Sequence, residues 1–291
     1  MGAVGAGGVP RERIVREMIL NFASQKEAIA RSGESARSVN VGENRILSNV
    51  LDRWIMYTDA RDISIMPYLA VRGIMEPYLT EVLCGIVKPG NICVDVGACF
   101  GYQSLLLGEL AGPTGRVFSY EPNKRVFLML KHNIELNGMC PRVLPCPDAI
   151  GDSEGTGQLA THKRRMGGAT LSVNAKASFG DGGEPTQDVP VITLDARLGD
   201  RGIAPDVFVI STVGYEPQVW AGMKGLLRAK RKITMLVEFC PKWYQNSEAL
   251  ITDIFDEGFA VTRLVDGEQD QPWVEPKQFL NKFKSTLLLT R

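Results

Sequence analysis

The sequence has little of several features that would place it in a specialised class of protein. Its 291 residues carry 33 Lys+Arg and 33 Asp+Glu, so it lacks the basic surplus that drives non-specific binding to nucleic acid. No apolar run approaches the roughly 18 residues that a transmembrane helix needs. The N-terminus lacks the basic-then-apolar order of a signal peptide. We therefore expect a cytoplasmic protein with neither a nucleic-acid nor a membrane partner.

Histidine and closely spaced cysteine are also scarce. The chain has 2 histidines, and its 6 cysteines form no C-x-x-C pair. The usual ligand spacing of a structural zinc site is therefore missing from the sequence. Without a secretion signal, cysteines in a chain of this length are typically reduced thiols. No bound metal is expected.

From residue 91 onward the sequence alternates short apolar runs with amphipathic segments. The runs predict strands at residues 92–96, 116–120, 143–150, 207–210, 233–239, 260–264 and 286–290, with helices between them at 102–110, 123–136, 216–227 and 247–256. This alternation is typical of an α/β fold in which helices cover both faces of a mostly parallel, Rossmann-like sheet. An extra strand is predicted at 189–194.

Two regions depart from that alternation. Residues 1–80 show helical spacing of apolar residues, over 11–30 and again at Ile46, Leu47, Val50, Leu51, Trp54 and Ile55, which predicts a helical N-terminal cap with a flexible start at 1–10. These helices are a candidate homodimer surface. The Gly/Ser/Thr-rich stretch 151–188 lacks apolar periodicity, and we interpret it as a lid-like insertion into the main domain, residues 81–291.

A glycine turn directly follows the first predicted strand of that domain. Asp95 and Val96 lead into Gly97 and Gly101, and a helix begins at once, so backbone N–H groups face whatever binds beyond the strand. The spacing matches neither dinucleotide nor P-loop motifs, and no lysine follows to hold a phosphate. We expect a Cβ on Gly97 to project into the space where ligand approaches the backbone.

A carboxylate stands at the end of the next strand, in Glu121-Pro122. In open α/β sheets an acid at this place accepts hydrogen bonds from ribose hydroxyls. A glycine turn without phosphate chemistry, followed by a ribose acid, indicates S-adenosylmethionine. The plainer alternative is that Gly97 serves tight packing and that Glu121 caps the helix beginning at Asn123.

The chain resembles the FkbM-type family of class I S-adenosylmethionine-dependent methyltransferases over about residues 85–290. The resemblance rests on VDVGACFGYQSLLL, GRVFSYEPN, HNIELNG, AIGD, GGATL, VITLD, DVFVISTVGYEPQVWAGM and LVEF. It implies that the 97–101 turn holds the methionine part of the cofactor, Glu121 the ribose, and Asp148 with Ala149 the adenine edge. The full set of expected cofactor residues is Asp95, Gly97, Ala98, Cys99, Phe100, Gly101, Glu121, Pro122, Asp148, Ala149 and Ser211.

The resemblance also implies the reaction, O-methylation of a sugar or specialised-metabolite hydroxyl with release of S-adenosylhomocysteine. The chain departs from the family at one point, since Ser211 and Val213 stand where members carry an Asp and a Glu. Two alternatives therefore stay open. In the first, the protein uses the cofactor for different chemistry, such as intramolecular alkylation. In the second, the protein binds the cofactor without catalysing transfer.

Two residues are candidate catalytic groups. His162 lies in the insertion, and imidazole has a suitable pKa for a general base. Glu238 ends a predicted buried strand at the sheet edge where ligands bind, where a partly desolvated carboxylate suits a base or an orienting group.

Overall fold

The structure is a computed structural model that describes residues 30, 32–172, 182–229, 232–264, 270–275, 277–278 and 284–291. Its strands are β1 (Ser38–Gly42), β2 (Arg45–Val50), β3 (Trp54–Asp59), β4 (Ile92–Val96), β5 (Arg116–Tyr120), β6 (Val143–Cys146), β7 (Ala149–Ile150), β8 (Gly155–Leu159), β9 (Gln187–Ile192), β10 (Val207–Ile210), β11 (Thr234–Phe239), β12 (Ala260–Leu264), β13 (Gln271–Trp273) and β14 (Ser285–Thr290). Its helices are α1 (Met66–Arg72), α2 (Pro77–Ile86), α3 (Tyr102–Ala111), α4 (Lys124–Leu136), α5 (Leu194–Arg197), α6 (Glu216–Ala221), α7 (Lys224–Ala229) and α8 (Ser247–Asp256).

The main sheet has eight strands in the order β13-β12-β14-β11-β10-β4-β5-β6. Strands β6, β5, β4, β10 and β11 run parallel, and β14 is antiparallel to both of its neighbours. The chain moves outward from β4 to β5 and β6, and then returns to form β10 on the other side of β4. That reversal is the switch point at which open α/β sheets bind ligands. The predicted Rossmann-like, mostly parallel sheet is confirmed.

Apolar side chains cover both faces of this sheet. One buried cluster joins Cys93 and Val117 to Leu105 of α3 and Leu130 of α4. The other joins the opposite sheet face to α6, α7 and α8, through residues such as Trp220. Burial on both faces explains why the central strands are continuous apolar runs rather than alternating ones.

Two predicted elements are each divided in the structure. The predicted strand over 143–150 is β6 followed by β7, and β7 pairs with β9 in a small separate sheet of order β7-β9-β8. The predicted helix over 216–227 is α6 and α7, interrupted at Gly222. A Cβ at Gly222 would lie 1.8 Å from the carbonyl oxygen of Gly151. The backbone just after β7 therefore fills the space that a side chain at position 222 would need.

The predicted N-terminal helix over 46–55 is wrong. Those residues form β2 and β3, which belong to an antiparallel sheet of order β1-β2-β3. The buried positions alternate along each strand, as Ser48 and Val50 in β2 and Trp54 and Met56 in β3 show. Two alternating strands joined by a tight turn happened to reproduce helical spacing. Most of the first predicted helix, over 11–30, and the dimer surface assigned to it lie outside the described residues.

Two asparagines of α4 and its C-terminal end attach this N-terminal sheet to the main domain. Asn133 accepts a hydrogen bond from Tyr57 N at 2.7 Å and donates one to Tyr57 O at 2.9 Å. Asn137, one helical turn later, makes the same pair with Ile55 at 3.1 and 2.9 Å. The two amides therefore satisfy the free edge of β3 much as another strand would.

The described part of the insertion over 151–188 is anchored in the core, although its sequence lacks apolar periodicity. Strand β8 pairs antiparallel with every residue of β9 except Ile192. The buried Asp62 accepts a hydrogen bond from Met166 N at 2.9 Å, and Thr170 Oγ1 donates one to Val213 O at 2.7 Å. Residues 173–181 lie outside the described residues, and closure on binding stays a prediction.

Candidate functional site

The glycine turn lies at the switch point between β4 and β10. Gly97 has a φ of 85°, and a Cβ there would lie 2.0 Å from the carbonyl oxygen of Ser211. A side chain at position 97 would therefore clash with the backbone that follows β10, and the expectation that it would project into the space of the ligand is wrong. Gly101 has a φ of 93°, and its missing side chain makes room for Leu130 of α4. Both glycines let the turn pass close to adjacent elements.

Hydrogen bonds fix the turn to the end of β5. The N–H groups of Gly97 and Ala98 both donate to Tyr120 O at 3.0 Å. Cys99 N donates to Glu121 Oε2 at 2.9 Å. Burial, with a smaller effect of Glu121, raises the pKa of the Cys99 thiol, which disfavours the thiolate that a nucleophile needs.

Glu121 is a buried carboxylate on the wall of a cavity that begins at this turn. Its Oε1 accepts a hydrogen bond from Asn123 N at 2.8 Å, in addition to the one from Cys99. Burial raises the pKa of Glu121 to about 7, although these two hydrogen bonds oppose the shift. Each oxygen retains a further lone pair, so Glu121 serves the turn and can still accept from a ligand. The plainer alternative is thus partly correct.

The first cavity comprises about 500 Å³ of empty space, which includes its opening to solvent. Seven of the candidate cofactor residues line it: Gly97, Cys99, Glu121, Pro122, Asp148, Ala149 and Ser211. Ala98 and Phe100 are buried behind it, and neither they nor Gly101 are on its wall. The insertion supplies apolar residues to the wall that are not among the expected cofactor residues: Leu159, Met166, Ala169 and Leu171. Nothing in its local pattern marked these residues as site residues.

The chemistry of these walls fits the nucleoside part of S-adenosylmethionine. Glu121 offers carboxylate lone pairs to a ribose diol, and Asp148 is a second carboxylate on the same wall. Ile150, Leu159 and Leu171 offer apolar surface to a flat ring. Among the described residues that line this cavity there is no Lys or Arg.

A second cavity, of about 980 Å³, adjoins the first. Four residues line both cavities: Gly97, Cys99, Gly167 and Ser211. We call their shared boundary the junction. The expected cofactor residue Asp95 lies on the second wall and not on the first; its Oδ2 accepts a hydrogen bond from Ser104 Oγ at 2.6 Å, and burial raises its pKa to about 6.

Acidic side chains predominate among the charged residues that line the second cavity. Glu76 at the start of α2 joins Asp95 and Glu238, and Lys284 is the one cation among the described lining residues. Burial raises the pKa of Glu76, and the charge of Glu238 raises it further. No sequence pattern pointed to Glu76 or Lys284, because each comes from an element distant from the glycine turn.

The two carboxylate oxygens of Glu238 differ in their hydrogen bonding. Its Oε1 pairs with Lys284 Nζ, while its Oε2 is buried with no hydrogen-bond partner among the described residues. Burial lowers the pKa of Lys284, but the attraction and hydrogen bond of Glu238, together with the charges of Glu76 and Glu216, raise it above its ordinary value. Glu238 therefore lies at the edge of the sheet, on the wall of the second cavity, and its catalytic role stays a prediction.

His162 is on neither of these walls. Its Nδ1 accepts a hydrogen bond from Arg164 N at 3.0 Å, and its ring fills the space beside Gly182. Burial and then the charge of Arg165 lower its pKa. The structure does not bring this candidate base to Glu238.

Two further findings concern classes of site. Within the described ranges, no cluster of three or more His, Cys, Asp or Glu side chains is arranged to hold a metal ion. The helices in the part of the chain that the structure covers include none long and apolar enough to cross a membrane.

Curated relatives of the chain carry one activity. This chain is 30% identical over 153 residues to a protein-L-isoaspartate O-methyltransferase of Aeropyrum pernix, a match that covers 51% of this chain and 50% of the relative. A second enzyme of that name, from Pyrobaculum neutrophilum, is 33% identical over 75 residues, 25% of this chain and 36% of the relative. The chain thus spans half or less of the length of these relatives. No family model matches it.

Solved structures give distant likenesses. The methyltransferase FkbM of Methylobacillus flagellatus aligns with 74% of this chain and 53% of its own, at 11% identity and a TM-score of 0.43. A putative transferase of Pyrococcus horikoshii covers 86% of this chain and 71% of its own, at 12% identity and the same score of 0.43. These likenesses add nothing to the fold described above, and FkbM membership stays a prediction.

Proposed function

We propose that the chain is an S-adenosylmethionine-dependent methyltransferase whose cofactor nucleoside lies in the first cavity and whose acceptor lies in the second. The observation that carries this proposal is Glu121, a buried carboxylate at the end of β5 on a cavity that starts at the glycine turn. The sequence similarity to isoaspartate methyltransferases supports the same activity. S-adenosylmethionine supplies an electrophilic methyl group when bound.

The residues of the chain then have separate roles. Gly97, Cys99 and Ser211 form part of the junction at which the two ligands meet. The apolar insertion residues Leu159 and Met166 exclude water from the first cavity, and fixing two reactants together supplies much of the acceleration in such transfers. Glu238 accepts the proton that a hydroxyl acceptor loses, with Lys284 orienting its carboxylate.

The charges favour a hydroxyl acceptor of a small molecule. Asp95, Glu76 and Glu238 against Lys284 make the second cavity repel an anion when its carboxylates are ionised. The isoaspartyl carboxylate that the relatives' names imply is such an anion. Protein-isoaspartate methylation is therefore the second candidate, favoured by sequence similarity and opposed by the charge of this cavity.

An assay of products tests the proposal. The purified protein is incubated with S-adenosylmethionine and either a panel of hydroxylated small molecules, sugars included, or isoaspartyl peptides, and released S-adenosylhomocysteine and methylthioadenosine are measured. We expect S-adenosylhomocysteine with a hydroxyl acceptor. Release with isoaspartyl peptides alone would establish the second candidate. Methylthioadenosine would indicate intramolecular alkylation, and binding without either product across the panel would indicate a silent cofactor-binding protein.

A further inference from the structure

A short turn after β10 separates the two cavities. Ser211 lines both of them, Thr212 lines the first and Val213 lines the second. Ser211 N donates to Val96 O at 2.9 Å, so the turn begins in register with the end of β4. Any change in the course of residues 211–214 therefore moves a wall of each cavity and the junction itself.

The turn holds an unfavourable backbone conformation. Val213 has a φ of 51°, in the left-handed region, and Gly214 follows with a φ of 91°. Glycine adopts such values freely, but a β-branched residue rarely does, because its Cβ substituents crowd the backbone. Val213 keeps this conformation only if its surroundings impose it.

Two buried side chains from separate elements impose it. Glu216, at the start of α6, accepts hydrogen bonds from Thr212 N at 2.8 Å and from Gly214 N at 2.9 Å, one to each carboxylate oxygen. Thr170, from the insertion, donates its hydroxyl to Val213 O at 2.7 Å. Both residues are 1% exposed. Side chains thus hold the backbone on each side of the strained residue.

We propose that Thr170 and Glu216 are positioning residues, which hold the strained 211–214 turn so that Ser211 forms the junction between cofactor and acceptor. The inference rests on the proposed function, since the junction has this meaning only in a methyltransferase. It also gives the insertion a structural role, because through Thr170 the segment that covers the first cavity fixes the partition between the two. Neither residue acts on a reacting atom.

The test compares one substitution in two backgrounds. Thr170→Val keeps the β-branched shape and removes the hydroxyl donor, whereas Val213→Gly removes the steric cost of the left-handed φ. Calorimetry measures the affinity for S-adenosylhomocysteine, and melting temperature reports folding. We expect Thr170→Val alone to weaken binding about 5- to 20-fold, on the scale of one lost buried hydrogen bond. Combined with Val213→Gly, the same substitution should cost less than about 3-fold, because the turn no longer needs to be held.

The design separates positioning from other roles. Thr170 also lies on the first wall, so a direct contact with ligand would make the loss equal in both backgrounds and overturn the inference. Thr186→Val is the control, since it removes a threonine hydroxyl bond to Gln158 in the same insertion and should leave affinity unchanged. If Thr170→Val does not fold, Glu216→Gln replaces it in the same comparison.

The outcome for the unaltered protein distinguishes the two proposals. If that protein binds the ligand and folded Thr170→Val binds equally well, only the positioning role is overturned. If the unaltered protein binds neither S-adenosylmethionine nor S-adenosylhomocysteine, the proposed function itself fails, and the positioning role with it.

Discussion

The two adjoining cavities are built in opposite ways. The first is walled by the ends of consecutive strands and by the insertion, and its main polar group, Glu121, is already engaged by two backbone N–H groups. The second is larger, about 980 Å³ against about 500 Å³. Its polar groups come from the start of α2, from β4 and β11, and from the residue before β14, and Glu238 is left with a buried oxygen that no described residue pairs.

This difference separates binding from specificity. A cavity whose polar groups are fixed by the backbone is preorganised for one ligand, and alteration there should damage cofactor affinity and stability together. A cavity whose charges come from side chains of distant elements can change its acceptor without altering the fold. Substitution of Glu121 in the first cavity should therefore lower both cofactor affinity and stability, whereas substitution of Glu238 in the second should lower turnover alone.

The largest effect is expected at Gly97, where the first cavity meets the second. Gly97→Ala combines a positive φ with a contact of 2.0 Å to Ser211 O, and backbone on both sides must move. We expect a loss of roughly 3 kcal/mol or more in the free energy of unfolding and no measurable S-adenosylmethionine binding. Denaturant melts and calorimetry measure both.

Gly138→Ala is the matched control for this substitution. Gly138 has a φ of 65° and nothing within 4 Å of the Cβ position, so its variant should lose only about 1 kcal/mol. Equal losses for the two variants would show that Ser211 does not constrain the turn, and the cavities would then not share a rigid boundary.

At Glu238 the comparison predicts an effect on turnover without one on binding. Glu238→Gln removes the proton-accepting carboxylate and leaves Lys284 without its charged partner, so turnover with an identified acceptor should fall about 100-fold. Affinity for S-adenosylhomocysteine should stay within about 2-fold, as for the surface control Glu248→Gln, because neither side chain lines the first cavity. A matching loss of cofactor affinity would contradict the separation of the two cavities.

The same difference explains what the sequence could predict. The strand ends at Asp95, Glu121 and Ser211 follow local apolar runs, so their common edge of the sheet was foreseeable from one stretch of chain at a time. Glu76, Lys284 and Thr170 reach the site through packing between elements far apart in sequence, which no local pattern records. The false helix over 46–55 has a related cause: two short strands with period 2 coincided with a period of 3.6 across their turn.

In the first cavity, Glu121→Ala should reduce both affinity and stability. The substitution leaves Cys99 N and Asn123 N without their acceptor and removes the group proposed to face the ribose. We expect S-adenosylmethionine binding to weaken by roughly 1–3 kcal/mol, measured by calorimetry, with a lowered melting temperature. Glu154→Ala, at an exposed glutamate of the insertion, is the control. Unchanged affinity would remove the ribose assignment.

Titration of Glu121 offers a finer test of its burial. Because burial raises its pKa from 4.5 to about 7, the folded protein binds more protons than the unfolded chain between these values, and the free energy of unfolding falls as pH rises through that window. Glu121 contributes roughly 3 kcal/mol to this fall. Asp95 and Glu216, with pKa values of about 6 and about 7, act in the same direction.

Glu121→Gln removes one of these three contributions. Its melting temperature should therefore decrease less steeply between about pH 5 and pH 7 than that of the unaltered protein, when both are melted without ligand in buffers of equal ionic strength. Parallel curves for the two proteins would mean that Glu121 is not desolvated, and the preorganised character of the first cavity would be lost.

The smallest effect is expected at His162, which the structure places outside both cavities. Its imidazole accepts the N–H of Arg164 and packs beside Gly182, while the proposed proton acceptor is Glu238 on the second wall. His162→Ala should therefore leave both cofactor affinity and turnover within about 2-fold, since the substitution alters neither wall. A loss of turnover above about 10-fold with unchanged affinity would show instead that the insertion moves far enough to deliver His162 to the acceptor. The division of roles between the two cavities would then hold only before the insertion closes. In that case limited proteolysis near Lys163 and Arg164 should be slower with cofactor and acceptor bound than without them.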